Sequence, residues 1–226
     1  MIPLRDSTRS RSFPLVTVIL IALNLYIYLQ QASSSPWQME RLILEYGFTP
    51  ALLTERVQAL SFFGFFYPPL LTATFLHGSW FHVLSNMLYL WIFGDNIEDK
   101  LGHLRFLLFY LLTGIAANLV YYVTAVNSPI PLVGASGAIA GVLGAYFLTF
   151  PKAKITTLFF VFFFVFLRQI PAIFFLLFWF IIQIFNGIIN AGTTGSSVAW
   201  WAHIGGFIIG FILMPLLKKK NRQNLF

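Results

Sequence analysis

Apolar residues run in long blocks along this chain, and the blocks are separated by short segments that hold most of its charge. A block of about 17 to 25 such residues crosses a bilayer as a helix. Phe13 to Leu29, interrupted by only Thr17 and Asn24 as polar residues, therefore predicts a first span. Later blocks predict a second span over Ser79–Asp95, a third over Phe106–Val123 and a fourth over Ser136–Phe150, stopped by Pro151. A fifth follows over Ala172–Phe185 and a sixth over Ala199–Leu217. The polar cluster Asp95–Lys100, followed by His103 and Arg105, reads as a short loop, and the Gly/Thr/Ser-rich stretch 186–197 reads as another. Ile155–Gln169 is apolar and Phe-rich yet ends in Arg168-Gln169 before Pro171, so it is expected to be a hydrophobic connection at or in the inner interface.

Residues 30–69 differ in kind. They mix Glu40, Arg41, Glu45, Glu55 and Arg56 with Trp37, Leu42, Tyr46, Phe62, Phe63, Phe65 and Phe66, and end at Pro68-Pro69. A stretch that aromatic and too polar to span suits a long outer loop whose short amphipathic helices lie at the interface.

Composition turns these spans into a class. The chain is 58% hydrophobic and 9% charged, against about 25% charged in soluble domains, so an all-α integral membrane protein of one domain over 1–226 is expected. No cleavable signal is evident. With no cysteine, disulfides, thiol nucleophiles and sulfur-ligated metals are excluded. The net charge of +7 sits in clusters at the ends and in short loops, which reads as membrane topology and not as a nucleic-acid footprint. Six spans put both termini on one side. Arg5, Arg9, Arg11, Lys100, Arg105, Lys152, Lys154, Arg168, Lys218, Lys219, Lys220 and Arg222 fall on that side, twelve of the fourteen basic residues, leaving Arg41 and Arg56 opposite. The expected orientation has a cytoplasmic tail 1–12 and a basic cytoplasmic tail 218–226.

This topology gives each polar residue a depth. The second, fourth and sixth helices enter from outside, which puts His82, Ser136 and His203 within roughly 10 Å of the outer edge of their helices at 1.5 Å per residue. Ser136 lies in Gly134-Ala135-Ser136-Gly137, where an uncharged loop turns into an apolar helix. That position offers a hydroxyl with backbone N–H groups close by, the arrangement acyl transfer needs. Small residues also crowd membrane helices because they let backbones approach, so the run alone fits packing as well as chemistry. His203, Gly206 and Gly210 follow at i, i+3 and i+7, while Gly137, Gly141 and Gly144 stripe the fourth helix. Two smooth faces allow an approach close enough for the imidazole to reach the serine hydroxyl. His82 and Asn86, at i and i+4 on one face, are suited to donating hydrogen bonds to an oxyanion.

Four motifs in order resemble the rhomboid family of intramembrane serine proteases, in its bacterial or archaeal form. They are His77-x4-His82-x3-Asn86-Met87, Phe93-Gly94-Asp95-Asn96-Ile97-Glu98-Asp99-Lys100-Leu101-Gly102, Gly134-Ala135-Ser136-Gly137 and Ala202-His203-x2-Gly206-x3-Gly210. The resemblance implies a six-helix core, single-span membrane-protein substrates cut in or near their transmembrane segments, lipid surroundings and no cofactor. It also implies a prokaryotic plasma membrane with the active site toward the outer face. By position, Ser136 would be the nucleophile and His203 the general base. His82, Asn86 and the Ser136 N–H would form the oxyanion hole, Gly134 would keep the approach open, and His77 would be structural. Glu98 matches an acidic position at the inner end of the second helix, more in keeping with a network or cap than with catalysis.

No span supplies a carboxylate to orient His203, so a third member would have to come from the outer loop. The family's Trp-Arg in that loop is replaced by Phe66-Tyr67-Pro68-Pro69, and a Tyr that packs on the imidazole in some members is Ala140. Trp200 or Trp201 is expected to take its place. Two rivals stand beside the protease reading: a catalytically inactive rhomboid-like protein that binds or escorts membrane clients, and a transporter, which the apolar inner halves of the fourth and sixth helices disfavour. A zinc protease lacks its His-Glu-x-x-His, since His77 and His82 are five apart, and an aspartyl protease lacks an intramembrane aspartate.

Overall fold

The computed structural model of the chain describes residues 1–59, 67–161, 163–191 and 199–218. The loop aromatics Phe62, Phe63, Phe65 and Phe66, the stretch 192–198 and the tail 219–226 lie outside the described residues. Six helices build an all-α bundle: α1 (Leu15–Ser33), α5 (Trp80–Leu101), α6 (His103–Thr124), α7 (Ser136–Thr149), α8 (Ala172–Ile189) and α9 (Trp200–Leu217). Between α1 and α5 lie α2 (Pro36–Tyr46), α3 (Pro50–Gln58), α4 (Pro69–Thr72) and a 3-10 turn over Ala73–Phe75. Of the bundle helices, α1, α6, α8 and α9 are long and apolar enough to cross a membrane, and α7 is a shorter apolar helix.

The centre of the bundle is α7, in which every residue from Gly137 to Tyr146 is buried. Only a helix of small residues can be enclosed so fully, because its neighbours must approach its backbone. Gly144 faces α9, where a Cβ would stand 2.0 Å from the Phe207 carbonyl oxygen. Gly206 and Gly210 of α9 rest on the carbonyls of Gly137 and Gly141, where added Cβ atoms would come to 2.1 and 2.0 Å. The stripe on α7 is therefore shared. Gly137 and Gly141 turn their Cα hydrogens toward Ala117 and Thr113 of α6 and offer their carbonyls to α9.

The fourteen residues of α7 extend about 21 Å at 1.5 Å each, short of a hydrocarbon core of about 30 Å. Its far end meets the N-terminal strand, where the Tyr146 hydroxyl donates to Asp6. Ser136 stands at the end of α7 away from that contact.

Two stretches fold differently from the sequence reading. The polar cluster Asp95–Lys100 is not a loop: α5 runs on to Leu101, and Gly102, at φ 80°, makes the turn into α6. The cluster stays helical because its side chains are satisfied by the N-terminal segment. The Asn96 amide donates to Asp6, the Ser12 hydroxyl and two backbone N–H groups donate to Asp99, and Glu98 caps α1. Helix α1 has no side-chain cap of its own at Pro14. The Glu98 carboxylate accepts instead from the N–H groups of Val16 and Thr17 at 2.9 and 2.8 Å and from the Thr17 hydroxyl at 2.7 Å, and it meets His103 Nδ1 at 2.6 Å. These N–H groups have no partner within the helix, and the N-terminal dipole favours an anion there. Glu98→Ala is expected to cost about 3 kcal/mol, since it orphans buried donors. Thermal unfolding in detergent measures it, and an unchanged midpoint would refute the capping role.

The second difference is at Ile155–Gln169, expected as a connection. It forms a hairpin of β2 (Lys154–Val161) and β3 (Phe164–Pro171), and β1 (Ile2–Asp6), from the expected tail 1–12, adds to it in the antiparallel order β1-β2-β3. Alternating Thr, Ile, Val and Phe suit a pleated surface. A lone hairpin is marginal, and the third strand completes the sheet. Ile155 and Thr157 are buried, while Phe160, Phe163 and Phe164 point outward. The sheet hangs from the terminal-side end of the bundle, and β3 leads directly into α8, whose first N–H, on Ala172, donates to Ala153.

Candidate active site

The loop before Ser136 is held from two sides. Phe48 and Leu132 exchange backbone hydrogen bonds of 2.9 and 2.8 Å, and the Gly134 N–H donates to the Ala73 carbonyl of the 3-10 turn. Gly134 adopts φ +133°, and a Cβ there would stand 2.8 Å from the His82 ring and 3.6 Å from Ser136 Oγ. Only glycine fits this place, on grounds of both backbone and space. Ser136 is the first residue of α7, so its N–H belongs to the helix-initial donors that have no acceptor within the helix.

His203 comes from the first turn of α9. Its Nε2 lies 2.8 Å from Ser136 Oγ. Its Nδ1 lies 2.8 Å from Oε1 of Gln183 on α8, and the Gln183 amide nitrogen donates to the Trp179 carbonyl one turn earlier. The imidazole is walled by Trp179, tilted at 6.0 Å and 31°, and by Trp200, edge-on at 6.2 Å and 86°. The space left by Ala140 is thus answered from α8 as well as by the expected Trp200.

Asn86 and His82 have different neighbours. The Asn86 amide nitrogen lies 3.0 Å from Nε2 of His77, a residue just ahead of α5. Burial, with the His82 charge adding to it, holds His77 down at about 3, so its imidazole is neutral and Nε2 accepts one Asn86 N–H. Gln31 of α1 fixes the His77 backbone from both sides, accepting from its N–H at 3.1 Å and donating to its carbonyl at 3.2 Å. The second Asn86 N–H remains for another acceptor. His82 packs edge-on against His77 at 5.0 Å and lies against Gly134.

Ser136, His203 and Asn86 line one cavity of about 150 Å³, with Tyr89, Ala140 and Trp179 among its other walls. His82, His77 and Gly134 stand beside it. A hydroxyl bonded to an imidazole nitrogen, with amide and backbone donors around it, is an arrangement suited to attack on a carbonyl.

A rhomboid-domain sequence profile matches residues 66–220. The chain belongs to the rhomboid family. Among rhomboid relatives, it is 33% identical over 154 residues to "Rhomboid-like protein 11, chloroplastic" of Arabidopsis thaliana, covering 66% of this chain and 51% of that one. It is 34% identical over 168 residues to the mouse "Presenilin-associated rhomboid-like protein, mitochondrial", covering 70% and 41%. It is 39% identical over 87 residues to the yeast "Rhomboid protein 1, mitochondrial". The rhomboid domain here spans about half or less of the length of these relatives. Their names place those proteins in organelles, so the prokaryotic plasma membrane expected from the sequence finds no support in them.

The residue that sequence reasoning passed over is Gln183. A third member of the pair is expected from the outer loop, as a carboxylate. Yet Gln183 is the lone polar side chain of Ala172–Phe185 and is 4% exposed. A polar group isolated in an apolar span was the available signal. At the corner where the family's Trp-Arg is missing, Arg56 of α3 places its guanidinium 5.1 Å from the buried Tyr67 ring.

Proposed function

We propose that this rhomboid protein is an intramembrane serine endopeptidase that hydrolyses peptide bonds in or near the transmembrane segments of single-span membrane proteins. The observation that carries the reading is the 2.8 Å approach of His203 Nε2 to Ser136 Oγ at the wall of a cavity. In this mechanism Ser136 Oγ attacks the scissile carbonyl while His203 Nε2 takes its proton. The oxyanion is met by the Ser136 N–H, the free Asn86 N–H and His82. When the tetrahedral adduct collapses, His203 returns the proton to the leaving amine, and water attacking the acyl-enzyme by the same route frees Ser136.

The basic residues at the terminal end orient the site toward the opposite, outer side. In a prokaryotic plasma membrane that arrangement would leave both termini cytoplasmic. The test of the reading is incubation of the purified protein with a panel of single transmembrane peptides and mass measurement of the products. Pairs of fragments whose masses sum to substrate plus one water are expected, and intact peptides throughout would overturn it, in favour of a protein that only binds membrane clients.

Asn86→Ala tests the oxyanion assignment. One oxyanion donor is worth at most about 2.7 to 4 kcal/mol, so kcat is expected to fall by roughly a hundredfold or less. An unchanged kcat would remove Asn86 from the site.

A further inference from the structure

We infer that Gln183 is the positioning residue of His203, the third member that completes the serine and histidine pair. This rests on the reading of Ser136 and His203 given above. An amide oxygen can only accept, so the Gln183 Oε1 contact at 2.8 Å places the imidazole proton on Nδ1. Nε2 is then left with its lone pair toward the Ser136 hydroxyl, which is the tautomer a general base requires. The amide cannot flip without loss, because its nitrogen is committed to the Trp179 carbonyl at 3.1 Å. Gln183 is almost wholly buried, so water does not compete for the contact.

The acidic side chains Asp6, Asp95, Glu98 and Asp99 are held at the opposite end of the bundle, Asp6 and Asp95 accepting from Asn96, Asp99 from Ser12 and Glu98 from Val16. Glu40, Glu45 and Glu55 belong to the outer helices α2 and α3. The amide thus takes the place a carboxylate holds in a triad, without adding a charge to an apolar site. Among the described residues, the titratable side chain that the geometry brings beside the pair is His82 of α5, whose ring lies against Gly134.

Gln183 and Trp179 are one turn apart on α8, whereas Ser136 and His203 sit on α7 and α9, which are in backbone contact. The distance between serine and histidine is therefore set by one pair of helices and the tautomer by a third. Displacing α8 would leave the pair close but the proton free to move to the wrong nitrogen.

The test compares wild type, Gln183→Leu, Gln183→Glu and Ser136→Ala, purified in detergent, for thermal midpoint, KM, and kcat across pH on a cleaved transmembrane peptide. Gln183→Leu is expected to lower kcat about tenfold to a hundredfold, in the range for loss of an orienting partner, with KM and the midpoint little changed. Gln183→Glu is expected to restore kcat and to move the acid limb of the profile to higher pH, because a carboxylate at Nδ1 favours the imidazolium. Wild-type kcat in Gln183→Leu, or an unmoved acid limb in Gln183→Glu, would overturn the inference. If Gln183→Leu does not fold, the Gln183→Glu limb decides alone. Cleavage by Ser136→Ala at the wild-type rate would instead overturn the serine reading, whatever Gln183 does.

Discussion

Ser136→Ala and His203→Ala are each expected to abolish cleavage of a transmembrane peptide, with a loss in kcat on the order of 10⁶-fold, the scale seen when a serine nucleophile or its base is removed. The two side chains act as one unit, so the double variant should be no slower than either single one. Both variants should also lose labelling by a fluorophosphonate, which reacts with an activated serine. Their thermal midpoints should stay near wild type, because Ser136 and His203 meet at a cavity wall and the packing of α7 against α9 rests on glycines. Cleavage that persists in purified Ser136→Ala would end the serine mechanism. Labelling that survives in His203→Ala would show that the imidazole does not activate the hydroxyl.

Gly206→Ala is expected to be the most damaging of small changes. A Cβ at Gly206 would stand 2.1 Å from the Gly137 carbonyl oxygen, and backbone atoms can give way only by moving a helix. Gly206 lies one turn from His203 and Gly137 is next to Ser136, so the movement falls on the reactive pair. Overpacking of this kind costs about 1 to 3 kcal/mol, and a displacement near 1 Å at a catalytic pair costs about a hundredfold in rate. Both losses should appear together, as a lower midpoint in detergent and a lower kcat. Gly78→Ala provides the contrast, since a Cβ there meets nothing within 4 Å and should leave both values at wild type. A Gly206→Ala protein with full turnover would show that the α7–α9 spacing does not control the chemistry.

The six bundle helices were legible because long apolar blocks admit few alternatives in a membrane. The approach of Ser136 and His203 was legible because depth follows from topology and a fixed rise per residue, whereas Asn86 was placed only by sharing a helix face with His82. What escaped depended on distant partners. Asp95–Lys100 looked like a loop because its satisfying groups, Ser12, Asp6 and the first turn of α1, lie more than eighty positions earlier. The hairpin was hidden because a short apolar run reads equally as strand or buried segment until its partners are known, and β2 lies between β3 and β1, the latter drawn from the start of the sequence. Gln183 was visible as an oddity, but its partner is decided by how α8 crosses α9. His77 was expected to be structural, and the structure gives that word content: it takes one Asn86 N–H and is itself clamped by Gln31.

The close seam between α7 and α9 separates two kinds of information in this protein. Alignment of the reactive pair is written in missing atoms, at Gly144, Gly206 and Gly210, where backbone lies on backbone. Reactivity is written in side chains that project from that seam. The neighbours of the imidazole come from elsewhere, with Trp179 of α8 beside the ring and Ala140 leaving room in the cavity wall. A change on α8 alters the surroundings of the His203 imidazole without touching the glycine seam of α7 and α9.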